Sequence, residues 1–266
     1  MRTSRASVPV ALTIAGSDSG GGAGVQADLK TFAALGVHGT SAITCLTAQN
    51  PRSVLAVQAA TPAMVRQQIE AVFAELPPRA LKTGMLYSAA IIRAFAEWFG
   101  EAKRPPLIVD PVMVATSGAR LLQPAAFRAV TERLLPLATL ITPNLDEAEL
   151  LLGRRLQDEE ALRGAARDLF HRFGSAVLVK GGHLRGTREA VDIFFDGKTE
   201  LLLSAPFVRG VSTHGTGCTY SAAIAALCAQ GRTLSDAVTQ AKEFITQSIA
   251  QSVRAGRHDV LNPFWQ

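Results

Sequence analysis

Ser212-Thr213-His214-Gly215-Thr216-Gly217-Cys218 places two glycines, a hydroxyl and a thiol just before an alanine-rich segment that runs from Tyr220 to Ala229. That segment reads as a tightly packed helix. The backbone N–H groups of Gly215 to Cys218 then stand unpaired at its N-terminus. With the positive end of the helix dipole they form a phosphate site. Glycine at 215 and 217 lets the backbone approach an oxyanion with no Cβ in the way. A thiol in the first helical turn is expected to ionise more readily than a free cysteine of pKa about 8.5, so Cys218 could act as a base beside a phosphoryl group. A buried cysteine in a helix cap is the plain alternative.

Outward from this turn, short apolar runs alternate with helical patterns. Strands are predicted at Val10–Ala15, Ser41–Leu46, Ala80–Thr83, Leu107–Val109, Thr139–Thr142 and Ala176–Lys180, with a hairpin, Ala190–Phe195 and Glu200–Ala205, across Asp196-Gly197. Helices are predicted at Ala23–Leu35, Pro62–Leu76, Ala89–Phe99, Pro124–Leu135, Leu145–Leu152 and Asp158–Phe173, and two more close the chain. This alternation, with fully apolar strands, predicts an α/β fold: a mostly parallel sheet covered by helices on both faces. A chain of 266 residues suits one domain of that kind. Ligands of such sheets bind beyond the carboxyl ends of the strands, where the polar clusters of this sequence lie.

Composition removes several function classes. Apolar residues make up 48% and charged residues 18%, which is ordinary for a soluble globular protein. Cys45, Cys218 and Cys228 are widely spaced, with no Cys-x-x-Cys for zinc or redox chemistry, and fit a reducing cytoplasm. The apolar run from Val8 to Ala15 passes straight into Gly16-Ser17-Asp18 and reads as a first strand, not a signal peptide. No run approaches the roughly 20 apolar residues that span a bilayer. The net charge is +5, but the basic residues are scattered and aromatics are only 6%, so no nucleic-acid partner is expected.

Five constellations fall at predicted strand ends. Gly16-Ser17-Asp18-Ser19-Gly20-Gly21-Gly22-Ala23-Gly24 contains Gly22-x-Gly24-x-x-Ala27, close to a dinucleotide fingerprint. A long loop precedes Gly22, however, and the next strand ends without the acidic residue that grips a ribose. A loop folding over a small substrate, with Asp18 or Asp28 free to accept a hydrogen bond, is the better reading. In Thr47-Ala48-Gln49-Asn50 a carboxamide offers donor and acceptor to the edge of a heterocycle, or serves as a turn amide. Lys82-Thr83-Gly84-Met85-Leu86 and Asp110-Pro111-Val112-Met113, with Ser117-Gly118 following, place apolar walls beside tight turns; Asp110 could instead reach a metal. Asn144 and Glu147, three apart at a helix start, suit Mg²⁺ or its waters, or form an ordinary capping box. Lys180-Gly181-Gly182-His183 sets a cation on a glycine turn, as polyphosphate requires.

In this order the pieces resemble the ribokinase-like superfamily, and within it the hydroxymethylpyrimidine/phosphomethylpyrimidine kinases of thiamin biosynthesis. The resemblance runs from Ala11 to about Ala250 and rests on residues 15–28, 47–50, 82–85, 110–113, 142–147, 179–183 and 214–218. It implies a three-layer α/β/α sandwich over residues 1–266. The implied activity is ATP-dependent phosphorylation of 4-amino-5-hydroxymethyl-2-methylpyrimidine, then of its monophosphate. It also implies that Gln49 bonds the aminopyrimidine, with Gly16, Asp18, Ala23, Met85 and Val112 around it. Asn144 and Glu147 would organise Mg²⁺; Lys180, Gly182 and Asp110 would serve ATP; Gly215, Thr216, Gly217 and Cys218 would act at the transferred phosphate. The implied assembly is a cytoplasmic homodimer. Thr116 stands where many relatives carry lysine, and Cys218 where most sugar kinases of the superfamily carry aspartate. A pyridoxal kinase and a non-catalytic pyrimidine sensor are the rival readings.

Overall fold

The structure is a computed structural model that describes residues 7–113, 124–182, 184, 189–208, 211 and 214–265. Thr116, Ser117-Gly118, His183, Ser212 and Thr213, all singled out above, lie outside the described residues.

In chain order the elements are β1 (Val10–Ala15), α1 (Gly24–Ala34), β2 (His38–Ile43), β3 (Cys45–Asn50), β4 (Ser53–Ala59), α2 (Pro62–Glu75), β5 (Ala80–Thr83), α3 (Ala89–Gly100), β6 (Leu107–Val109), α4 (Pro124–Ala129), β7 (Leu140–Ile141), α5 (Leu145–Leu152), α6 (Glu159–Phe173), β8 (Ala176–Lys180), β9 (Glu189–Phe195), β10 (Glu200–Pro206), α7 (Thr216–Ala229), α8 (Leu234–Ala250), β11 (Val253–Ala255) and β12 (His258–Val260). The main sheet has the order β10-β9-β8-β7-β6-β5-β1-β2, parallel from β2 to β8 and antiparallel at β9 and β10. Its central strands are buried along their whole length, as continuous Val/Ile/Leu/Ala runs require.

Helices cover both faces. On one, α3 and α6 present Ile91, Phe95, Leu162 and Leu169 to the sheet. On the other, α7 packs with Phe32 of α1 and with Val238 and Phe244 of α8. Helix α7 is apolar around almost its whole circumference and is accordingly buried, from Thr219 to Ala229 save Cys228. It runs under the sheet's carboxyl edge, so its N-terminus opens where β5, β6 and β8 end.

Three readings differ from the sequence. The predicted strand Ser41–Leu46 is two strands parted at Thr44, whose N–H donates to Ala15 O (3.0 Å) and whose carbonyl accepts from Ala60 N (2.8 Å). The chain there leaves the main sheet for a separate hairpin, β3–β4. Thr47–Asn50 is thus strand, not turn. The predicted helix Pro124–Leu135 stops at Ala129, and Val130–Leu134 continues as a π-turn before Pro136.

Candidate active site

The residues assigned above to substrate, nucleotide, Mg²⁺ and transferred phosphate all line one cleft of about 640 Å³ at the carboxyl edge of the sheet, whereas Asp28 does not. The cleft has two halves, which meet at the first glycine loop.

The first half is the helix end. Gly215 is the N-cap of α7, with φ 84°, and no side chain caps it, so donors at the start of α7 face the cleft. Two features demand glycine there. The dihedral is left-handed, and a Cβ would collide with the Gly22 carbonyl. Beneath the turn lie two buried lysine–aspartate pairs. Lys82 Nζ sits 2.9 Å from both oxygens of Asp28, which also accepts the Thr13 hydroxyl at 2.5 Å. Lys180 Nζ sits 3.1 Å from Asp110 Oδ1. For Lys82, burial pulls the pKa down, but the Asp28 carboxylate, with Asp110 beyond it, outweighs that and raises the pKa. For Lys180 burial likewise opposes, and Asp110 and Glu147 prevail. Both lysines stay cationic at neutral pH, as an anion site needs.

Cys218 departs from expectation. The thiol does line the cleft, but burial pushes it up to about 11, and the nearby Lys82 only partly offsets that. The helix end therefore does not leave a standing thiolate at neutral pH. Desolvation wins over the dipole because the half-buried sulfur stands deep in the cleft, close-packed by protein on its other sides.

Glu147 shows both readings at once. With Asn144 it forms a full capping box: Glu147 N donates to Asn144 Oδ1 and Asn144 N to Glu147 Oε2, each at 2.9 Å. Its other oxygen accepts Met113 N at 2.9 Å and so fixes the turn that bears Val112. Burial pushes this carboxyl up to about 7, with Lys180 opposing and Asp110 adding to the rise. Two carboxyls around one ammonium leave the neighbourhood electronegative, a place that suits a hydrated divalent cation.

The second half is walled by neutral groups. Gly16 faces Cys45 Sγ and Met85 Cε, both 2.8 Å from where a Cβ would stand, so the floor lies close to the backbone. Met85, Val112, Tyr87 and Ala23 line it, with Val54 and Val57 reaching in from the hairpin. Val112 and Tyr87 hold φ at 45° and 67°, unusual for residues with these side chains. Gln49 sits at a register shift in the β3–β4 ladder, where Leu55 of β4 is the extra residue without a partner in β3. Thr47 Oγ1 donates to Ser17 O at 2.8 Å and lies 3.3 Å from Gln49 Oε1.

The two aspartates offered as free acceptors are both engaged. Asp28 belongs to Lys82, and Asp18 accepts backbone N–H groups of its own loop. Sequence reasoning also passed over Lys82, Tyr87, His214 and the hairpin valines, whose partners are remote in sequence.

A parallel sheet with helices on both faces, a helix-end anion site and buried cations at the strand ends define a small-molecule kinase of ribokinase-like fold. The ADP complex of Bacillus subtilis pyridoxal kinase superposes on it with a TM-score of 0.88 and 38% identity, covering 96% of this chain and 97% of that one. The sequence model described as phosphomethylpyrimidine kinase matches residues 18–262, and the chain belongs to that family. It is a phosphotransferase of thiamin biosynthesis. The hydroxymethylpyrimidine/phosphomethylpyrimidine kinase of Rhizobium meliloti is 51% identical over 247 residues, 92% of each chain. The thiamine biosynthesis bifunctional protein of Geobacter sulfurreducens is 50% identical over 92% of this chain, which spans half of that longer protein.

Proposed function

We propose that this one cleft carries both phosphorylations, of 4-amino-5-hydroxymethyl-2-methylpyrimidine and then of its monophosphate, with Gln49 on the aminopyrimidine edge. The observation that carries this is the shared cleft: a neutral, shape-defined pocket opens directly onto a helix N-terminus floored by cations. Phosphoryl transfer has a loose transition state, so positioning and charge neutralisation dominate. The Gly215–Cys218 donors would hold oxygens of the transferred group, and Lys180 and the Gly181-Gly182 turn the nucleotide phosphates, with Asp110 setting the lysine's position. Asn144 and Glu147 would hold Mg²⁺ through its water shell. Among the described residues no group of three or more His, Cys, Asp or Glu side chains could by itself hold a metal ion. Bound Mg²⁺ neutralises phosphate charge; the protein's part is to aim the donors.

The chain works in this reading as one cytoplasmic kinase domain. Among the described residues no helix is long and apolar enough to cross a membrane. It pairs as a homodimer through the β3–β4 hairpin, where Leu46 and Leu55 are exposed, Leu55 by 75%. Leu55→Asp should then give a monomer in analytical ultracentrifugation; an unchanged mass would move the interface elsewhere.

An ATP-consumption assay with Mg²⁺ tests the central reading. The pyrimidine, its monophosphate and pyridoxal are offered separately and products identified by mass. Turnover of both pyrimidines supports it; turnover of pyridoxal alone transfers the cleft to vitamin B6 chemistry, and silence on all three points to a sensor.

A further inference from the structure

Three segments cross at Asp18, and its carboxylate is the knot. Oδ1 accepts Gly20 N at 2.8 Å; Oδ2 accepts Gly22 N at 3.1 Å and Ala23 N at 2.8 Å. The same Oδ2 lies 3.3 Å from His214 Nε2, 196 residues away. A carboxylate that already accepts three N–H groups can only accept from the imidazole as well, so Nε2 carries the proton. Asp18 is 3% exposed, and its own N–H donates to Gln26 of α1. The loop it organises is tied on its other side to the hairpin. Ser19 Oγ donates to Gln49 O and accepts Gln49 N, both at 2.7 Å. The Gly22 carbonyl of this loop meets Gly215 where any side chain would stand.

We infer that Asp18 is a positioning residue that keeps the two halves of the cleft in register: its three loop bonds shape the pyrimidine pocket, and its His214 contact sets the anion turn against that pocket. Hydroxymethyl oxygen and phosphoryl group come into line because both half-sites hang from one carboxylate. This rests on the kinase reading above, and it replaces a role for Asp18 as a direct substrate ligand. A residue of this kind acts on alignment, where an error of about 1 Å can cost a hundredfold in rate.

The division of labour within the carboxylate gives the test. His214→Ala cuts the link from Asp18 to the anion turn and leaves the three loop bonds in place. It should weaken a non-hydrolysable ATP analogue at least tenfold in calorimetry and lower kcat by a similar factor. Affinity for the pyrimidine alone should stay within about threefold of wild type, because the loop bonds remain. Asp18→Ala removes both oxygens, and with them the link and the loop bonds, so both affinities should fall. Adding His214→Ala to Asp18→Ala should cost nothing more, since the link is already gone. His214→Gln, whose amide can still donate to Asp18, should recover most of what His214→Ala loses. Melting curves check that each variant is folded; if Asp18→Ala is not, the two His214 variants decide the matter. Three results overturn the inference: nucleotide affinity unmoved by His214→Ala, pyrimidine and nucleotide affinities falling equally in that variant, or additive losses in the double variant. Failure of wild type to phosphorylate either pyrimidine in the assay above would instead sink the kinase reading, while the binding measurements still judge the link.

Discussion

The two halves of the cleft are built from different materials. The anion half spends buried charge: Lys82–Asp28 and Lys180–Asp110 stand under backbone donors, all largely withdrawn from water. The pyrimidine half contains almost none, relying on Gly16, Met85, Val112 and the Gln49 amide. Charge acts over distance and strengthens when water is excluded, so it suits a group whose electron distribution changes during reaction. Shape acts only at contact and suits a flat ring that must merely be recognised. Damage in the first half should therefore appear in stability and turnover, and in the second half as KM.

The largest effect is expected where a buried charge loses its partner. Lys82→Met strands Asp28 and should cost about 3–5 kcal/mol of stability near pH 8. Burial already raises the Asp28 pKa, and removing the cation raises it further. A folded-state carboxyl pKa above its unfolded value favours the folded state below that unfolded pKa and ceases to do so as pH rises through the folded value. The deficit should thus shrink at pH 5. Equal deficits at both pH values, by urea denaturation, would mean that the lysine packs rather than pairs.

Next comes the turn itself. Gly215→Ala meets both the left-handed dihedral and the Gly22 carbonyl, and should displace donors in the way that loss of an oxyanion-hole group does, lowering kcat by about 10²–10³. Steady-state kinetics would show KM for the pyrimidine little changed; a KM effect alone would dissolve the contrast between the halves. On the neutral side, Gln49→Ala removes hydrogen bonds worth together roughly 1–3 kcal/mol. That should raise KM for both pyrimidines about 5- to 150-fold and leave kcat within a few-fold, and a fall in kcat alone would place Gln49 at the reacting atoms.

The contrast was only half visible in the sequence. Glycine turns at strand ends are local signals, and local signals place backbone well, so the loop at 16–24, the turn at 214–218 and five of the six parallel strands could be read, the second being placed three residues late. What escaped was whatever depends on remote partners. Lys82 and Asp28 are 54 residues apart and look like two unrelated charges. The run Ser53–Ala59 is apolar enough to suggest burial, yet every residue of it is exposed, because the chain exits the sheet at Thr44 and β4 pairs only with β3. The ionisation of Cys218 was misjudged for the same reason: position on a helix is local, desolvation is not.

That cysteine supplies the smallest and sharpest test. With its pKa near 11, about one thiol in 10⁴ is ionised at pH 7, and the ionised fraction grows tenfold with each pH unit below that value. A primary alcohol must lose its proton during the first phosphorylation, whereas a phosphate monoester with a second pKa of about 6 is already largely ionised. If the Cys218 thiolate takes the alcohol proton, kcat for the first step should climb with pH between 7 and 9, and kcat for the second should stay level. Cys218→Ala should lower the first step by about tenfold at pH 7.5, remove its slope, and spare the second. Equal losses in both steps, with the slope intact, would make the sulfur a packing atom. The chemistry of the charged half would then rest on backbone donors and lysines alone.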